Sequence, residues 1–180
     1  MNSSRLNSSV LHTLLSINKE LMEEKGKPLD EYIGIYIYGE AGLPYECTPE
    51  DALVFAHTGT GGDHFAFNTH RGLITDLDEA PVLFIQPMMF SNPVKRVSHN
   101  IRDLLSIFLT LREFYILERM DGYKTREDMK MDIEKHYKQG IESRKEELDF
   151  ISDLLGTRLG IAPMDDVYEY MKRMRAMDVC

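Results

Sequence analysis

Val54-Phe55-Ala56-His57, Thr58-Gly59-Thr60-Gly61-Gly62 and Asp63-His64-Phe65-Ala66-Phe67-Asn68 decide the fold of this chain. The first piece is a short apolar strand and the second a glycine-rich turn. The third alternates polar and aromatic residues, as a half-buried strand does. Five turn residues between two strands leave room only for antiparallel pairing, because a parallel crossover needs a dozen residues or more. Working outward, Thr69-His70-Arg71-Gly72 turns the chain into Leu73-Ile74. Pro81-Val82-Leu83-Phe84-Ile85-Gln86-Pro87 is a further strand with proline at both ends, and Val94 to Val97 adds a last edge strand.

Upstream, Tyr32-Ile33-Gly34-Ile35-Tyr36-Ile37-Tyr38 is dense in β-branched and aromatic residues and reads as a central strand covered on both faces. Thr48-Pro49-Glu50-Asp51 has the chemistry of a helix start, with threonine as cap and proline at the first helical position. Residues 6–25 form an amphipathic helix, with Ser8 and Ser9 both candidates for the cap and Gly26 and Pro28 ending it. From Asn100 the apolar period changes to 3.6. Asn100 and Asp103 suit a capping box, and the helix they open is expected to run to Asp121-Gly122. Beyond it, residues 124–155 are charged and helical, with a kink or a break into two helices expected at Gly140. Gly156 to Pro163 breaks that segment, and Met164 to Met177 forms a final helix with a methionine stripe. This stripe suits docking on the parent domain or a homodimer contact. The expectation is an α+β protein with an antiparallel sheet of about five or six strands flanked by helices. Residues 1–122 make its main domain, and residues 123–180 make a helical extension packed on it.

The charge of the 180 residues is unevenly placed. Between Asp30 and Pro93 ten acids face a single base, Arg71, so that segment holds the whole net charge of −9 while its flanks balance. Such a surface repels phosphate backbones, which argues against nucleic acid as a partner, and draws in a basic protein surface. Glu40, Glu46, Glu50, Asp51, Asp76, Asp78 and Glu79 fall on loops at strand ends, where they form either a partner-facing surface or a solvated rim. No run of residues is apolar enough to cross a bilayer. Met1-Asn2-Ser3-Ser4-Arg5 leads into no export signal. Cys47 and Cys180 are too few and too far apart for a disulfide framework, so a reduced compartment, the cytoplasm, is expected.

The run Leu53-Val54-Phe55-Ala56, Thr58-Gly59 and Gly62 to Asn68 resembles the core signature of the SUKH superfamily. There a strand ending in a glycine turn leads to Gly-Asp and an alternating aromatic strand. Val82-Leu83-Phe84-Ile85 matches its next strand, and Val97 to Leu105 matches the approach to its closing helix. The match covers residues 53–111 and a first helix. The chain carries no tryptophan, and nothing beyond Gly122 has a counterpart. The family holds fungal cell-wall synthesis regulators, the bacterial Syd protein and bacterial immunity proteins that neutralise nuclease-type toxins. The resemblance implies an α+β fold without catalytic residues or cofactor, binding a protein partner, a basic toxin domain or an endogenous protein. Glu40, Glu46, Asp51, Asp63, Asp76, Asp78 and Glu79 are the contact residues expected on that account.

Two other chemistries are weaker. Residues 58–63 look like a phosphate loop, but a strand follows the glycines where a phosphate cradle needs a helix N-terminus. His57, Asp63, His64 and His70 offer zinc-type donors at a spacing that fits no standard site, so no metal is assigned. The two hairpin histidines are expected to pair with polar atoms at strand ends, and Asp63 to bond turn amides.

Overall fold

The computed structural model describes residues 6–177. The first helix, α1 (Ser9–Lys25), begins where Ser8 accepts a hydrogen bond from the Leu11 amide. It ends at Gly26, whose φ of 64° an L side chain rarely adopts. A one-turn helix, α2 (Leu29–Ile33), follows. The central strand expected over residues 32–38 is not formed. Leu29, Tyr32 and Ile33 lie at the helical spacing i, i+3, i+4 and are buried together, and Gly34 in the left-handed region closes the turn. Only β1 (Tyr36–Ile37) remains extended, and it is an edge.

The sheet continues with β2 (Ala52–His57), β3 (His64–Asn68), β4 (Val82–Ile85) and β5 (Val94–Ser98), in the order β1-β2-β3-β4-β5 with every neighbour antiparallel. No helix forms at Thr48. Its hydroxyl accepts the Tyr45 amide and closes a turn against the sheet instead. On one face Phe55 stacks on Phe67 at 4.2 Å and Phe65 on Phe84 at 4.8 Å. Each such ring removes roughly 150–250 Å² from water, so these four rings are a substantial part of the core.

α3 (Ile101–Leu111) lies over this block, capped by Asn100 through the Asp103 amide. It stops ten residues earlier than its apolar pattern suggests, because Arg112 takes a φ of 62°. A 3-10 segment (Phe114–Gly122) carries the pattern on, and Phe114 packs on Phe65 and Phe108. The charged stretch beyond divides into three: α4 (Arg126–His136), α5 (Lys138–Ser143) and α6 (Lys145–Leu159). α6 runs through Gly156 and ends at Gly160, which supplies the left-handed cap. α7 (Val167–Arg175) buries Met171 and Met174 and lies along the open edge of β5. There Arg175 Nη1 donates to the Arg96 carbonyl, and the His99 amide donates to Tyr170 Oη. Covering an edge strand removes a template for unwanted pairing. The core is continuous from α1 through the sheet to α6 and α7.

Candidate functional site

The other face of the sheet is covered differently. Ala52, Val54, Ala66, Leu83 and Ile85 form a small second cluster, and Tyr38 and Cys47 pack on it from the irregular segment 38–51. This segment runs down beside β2, where Tyr38 N donates to the Phe55 carbonyl and Gly42 N to that of Val54. It then climbs back to the glycine hairpin. The hinge of the arrangement is His64. Its Nδ1 lies 2.8 Å from the Gly62 carbonyl, which only accepts, so Nδ1 carries the proton. In the neutral ring Nε2 is then an acceptor, and Thr48 Oγ1 donates to it at 3.0 Å. Burial pushes the imidazole's pKa down and so keeps the neutral form. This hydroxyl–imidazole pair is buried, and no carboxylate backs the ring. It acts as a staple between segment 38–51 and the hairpin.

Aromatic rings bracket the hairpin. Tyr45 stacks on His64 at 5.4 Å and crowds Gly62, and Tyr36 lies against Gly59. His57 is sandwiched between Tyr36 at 4.7 Å and Tyr38 at 5.2 Å. Tyr115 Oη donates to the Thr58 carbonyl at 3.3 Å. Between segment 38–51 and the hairpin lies a cavity of about 550 Å³, bordered by Tyr38, Tyr45, His57 and His64 and open to solvent.

Large apolar side chains surround this end of the sheet. Phe90 is 95% exposed, Leu43 87% and Met88 68%, with Tyr36, Tyr45 and Met89 about half exposed. A methyl group added at Gly61 would lie 3.9 Å from Met88 Cγ, so the β4–β5 loop adjoins the hairpin.

Asp63 turns inward. Its Oδ2 accepts from Gln86 Nε2 at 3.0 Å, Gln86 Oε1 accepts from Lys95 Nζ at 3.3 Å, and Lys95 forms an ion pair with Asp121. Asp121 also lies 2.9 Å from Arg175 Nε, so a polar chain links the hairpin to α7 through the end of the 3-10 segment. Burial raises the Asp63 pKa, and burial together with the nearby Asp63 and Glu113 raises that of Glu118. The Asp63 carboxylate, expected to bond turn amides, is held by the Gln86 side chain; at the other end of the sheet Asp51 Oδ2 accepts from the Arg71 amide at 2.8 Å.

The seven acids expected to meet a partner fall at two ends of the sheet. Glu40 and Glu46 are exposed on segment 38–51, beside the cavity, and Asp63 borders it. Asp51, Asp76, Asp78 and Glu79 belong to the opposite end, where β2 begins and β3 runs towards β4. Asp78 caps α1, accepting from the hydroxyls of Ser8 and Ser9 and the amides of Ser9 and Val10. His57 and His64 are cross-strand neighbours, whereas His70 lies at the far end of the sheet. Among the described residues no three His, Cys, Asp or Glu side chains are placed to hold a metal ion.

Reasoning from sequence missed Phe90, Met88, Met89 and Leu43. The signal for the first three was Pro87-Met88-Met89-Phe90-Ser91-Asn92-Pro93, an apolar triplet between two prolines where no core element forms, whereas Leu43, alone between Gly42 and Pro44, gave none. No helix among the described residues is long and apolar enough to cross a membrane. Comparison of the chain with protein-family models, curated proteins and solved structures finds no match.

Proposed function

We propose that the chain is a non-catalytic, cytoplasmic protein-binding module, and that it acts as an immunity-type protein that neutralises a basic, nuclease-type toxin domain. One observation carries the binding reading: Phe90, Leu43 and Met88 stand in solvent on the loops that adjoin the glycine hairpin. Single exposed apolar residues are ordinary, but a gathered set at the end of a scaffold is the anatomy of an interface. The immunity reading draws on the resemblance of residues 53–111 to the SUKH signature and on the nine net negative charges between Asp30 and Pro93, which suit a surface built to grip nucleic acid.

The test is affinity capture from the native cell with the wild-type chain and with Met88→Asp/Phe90→Asp. Both positions are exposed, so the melting temperature of the variant should match the wild type. The expected result is a toxin domain held through a moderate salt wash by the wild type and lost by the variant. A housekeeping protein with the same dependence replaces immunity by regulation of an endogenous partner. A partner held equally by both proteins contradicts the interface.

A further inference from the structure

Resting on that reading, we propose that the cavity between segment 38–51 and the glycine hairpin receives an arginine side chain of the protein partner. At about 550 Å³ it has room for one long side chain and some water. Tyr38, Tyr45, His57 and His64 contribute rings to its walls, Leu43 and Val54 contribute aliphatic surface, and no lysine or arginine borders it. The face of an aromatic ring carries the negative end of a quadrupole and attracts a cation held within about 6 Å. Glu40 and Glu46 stand on the segment that makes one wall and add formal negative charge. His64 adds no opposing charge, because its Nδ1–H is held by the Gly62 carbonyl and its Nε2 by Thr48.

Planarity selects arginine over lysine. A guanidinium is flat and weakly hydrated, so it stacks on a ring where a compact, strongly hydrated ammonium does not. One flat pair already stacks beside the cavity, the Tyr36 ring on that of His57 at 4.7 Å and 15°. Close packing keeps the walls in place. A methyl group at Gly42 would meet Tyr38 at 3.1 Å and Val54 at 3.2 Å, so the loop approaches the sheet as closely as a bare backbone allows. Leu43 lines the cavity and Met88 and Phe90 stand exposed on the neighbouring β4–β5 loop, so a partner seated here would bury apolar surface beside the anchor, the setting that makes an interfacial arginine a hot spot.

The probe is a capped pentapeptide, Gly-Gly-Arg-Gly-Gly, titrated into the isotope-labelled full chain and followed by amide NMR. Saturable shifts are expected at Tyr45, Gly59, Thr60 and Gly62. The same peptide with citrulline in place of arginine should bind at least about fivefold more weakly, as should the arginine peptide to the Tyr45→Leu chain. An equal response to the arginine and citrulline peptides, or shifts confined to other residues, overturns the proposal. Partner capture separates its failure from that of the interface. A partner lost by Met88→Asp/Phe90→Asp but held fully by Tyr45→Leu removes the arginine receptacle and leaves the binding face standing. A partner held by both variants removes the binding face as well.

Discussion

At the residue scale, Gly62 shows how little freedom the hairpin has. Its φ is +81°, and a methyl group added there would lie 2.6 Å from the Tyr45 ring. Gly62→Ala should therefore lower stability by the backbone strain, about 1 kcal/mol, plus whatever Tyr45 loses in moving aside. Urea denaturation checks this. In a Tyr45→Leu background the loss should shrink towards the backbone part alone, and an undiminished loss would mean that the ring is not the obstacle. His64 gives a pH dependence whose sign follows from its burial. The folded-state pKa is depressed, so the unfolded chain takes up the proton first. The stability tied to neutral His64 is complete above the unfolded-state value of about 6.5 and is lost as pH falls through the lower folded-state value. His64→Gln retains an amide for the Thr48 and Gly62 contacts but does not titrate. Its stability should fall less than that of the wild type between about pH 7 and pH 5, and parallel curves would contradict the role given to His64.

At the scale of elements, Asp78 matters more to α1 than its place in an acidic loop suggests. Burial disfavours its charge, but the Ser8 and Ser9 hydroxyls and the Val10 and Ser9 amides outweigh that and hold its pKa below the ordinary value. Asp78→Ala should cost about 1–2 kcal/mol by leaving the Ser9 and Val10 amides without their acceptor, although Ser8 still caps the Leu11 amide, and thermal unfolding measures it. Partner capture should be unchanged, because this residue lies at the opposite end of the sheet from the exposed loops. The antiparallel strands 52–57, 64–68 and 82–85 were legible because each keeps a short run bounded by turn residues. The helix at Leu29–Ile33 was hidden because its five residues include the start of a β-rich run, and burial at i, i+3 and i+4 overrode that composition. The helix opening at Asn100 was legible in type but not in length. Its apolar face continues past Leu111 without interruption, and only the left-handed Arg112 divides it from the 3-10 segment.

At the scale of the whole molecule, two kinds of cover divide the sheet. One face carries stacked phenylalanines under α3 and the 3-10 segment, and the other carries small aliphatics under segment 38–51. The irregular cover leaves a cavity and three exposed loops at one end, while α7 shields the far edge. Composition located the negative charge of this region but could not tell which acids are surface. Asp63 and Asp78 carry the same formal charge as Glu40 and Glu46, yet they bond inward to Gln86 and to the start of α1. Likewise Tyr36, read as part of a strand covered on both faces, stands half exposed because β1 is an edge, and Tyr45 stands half exposed on the irregular segment 38–51. A protein partner bound at the hairpin end of the sheet would leave a localised footprint on the chain. Hydrogen–deuterium exchange of the chain, alone and with its captured partner bound, tests it most directly. Slowed exchange should concentrate in residues 40–47, 58–63 and 86–93. Protection confined to residues 69–79, or to the helices beyond residue 124, would contradict it.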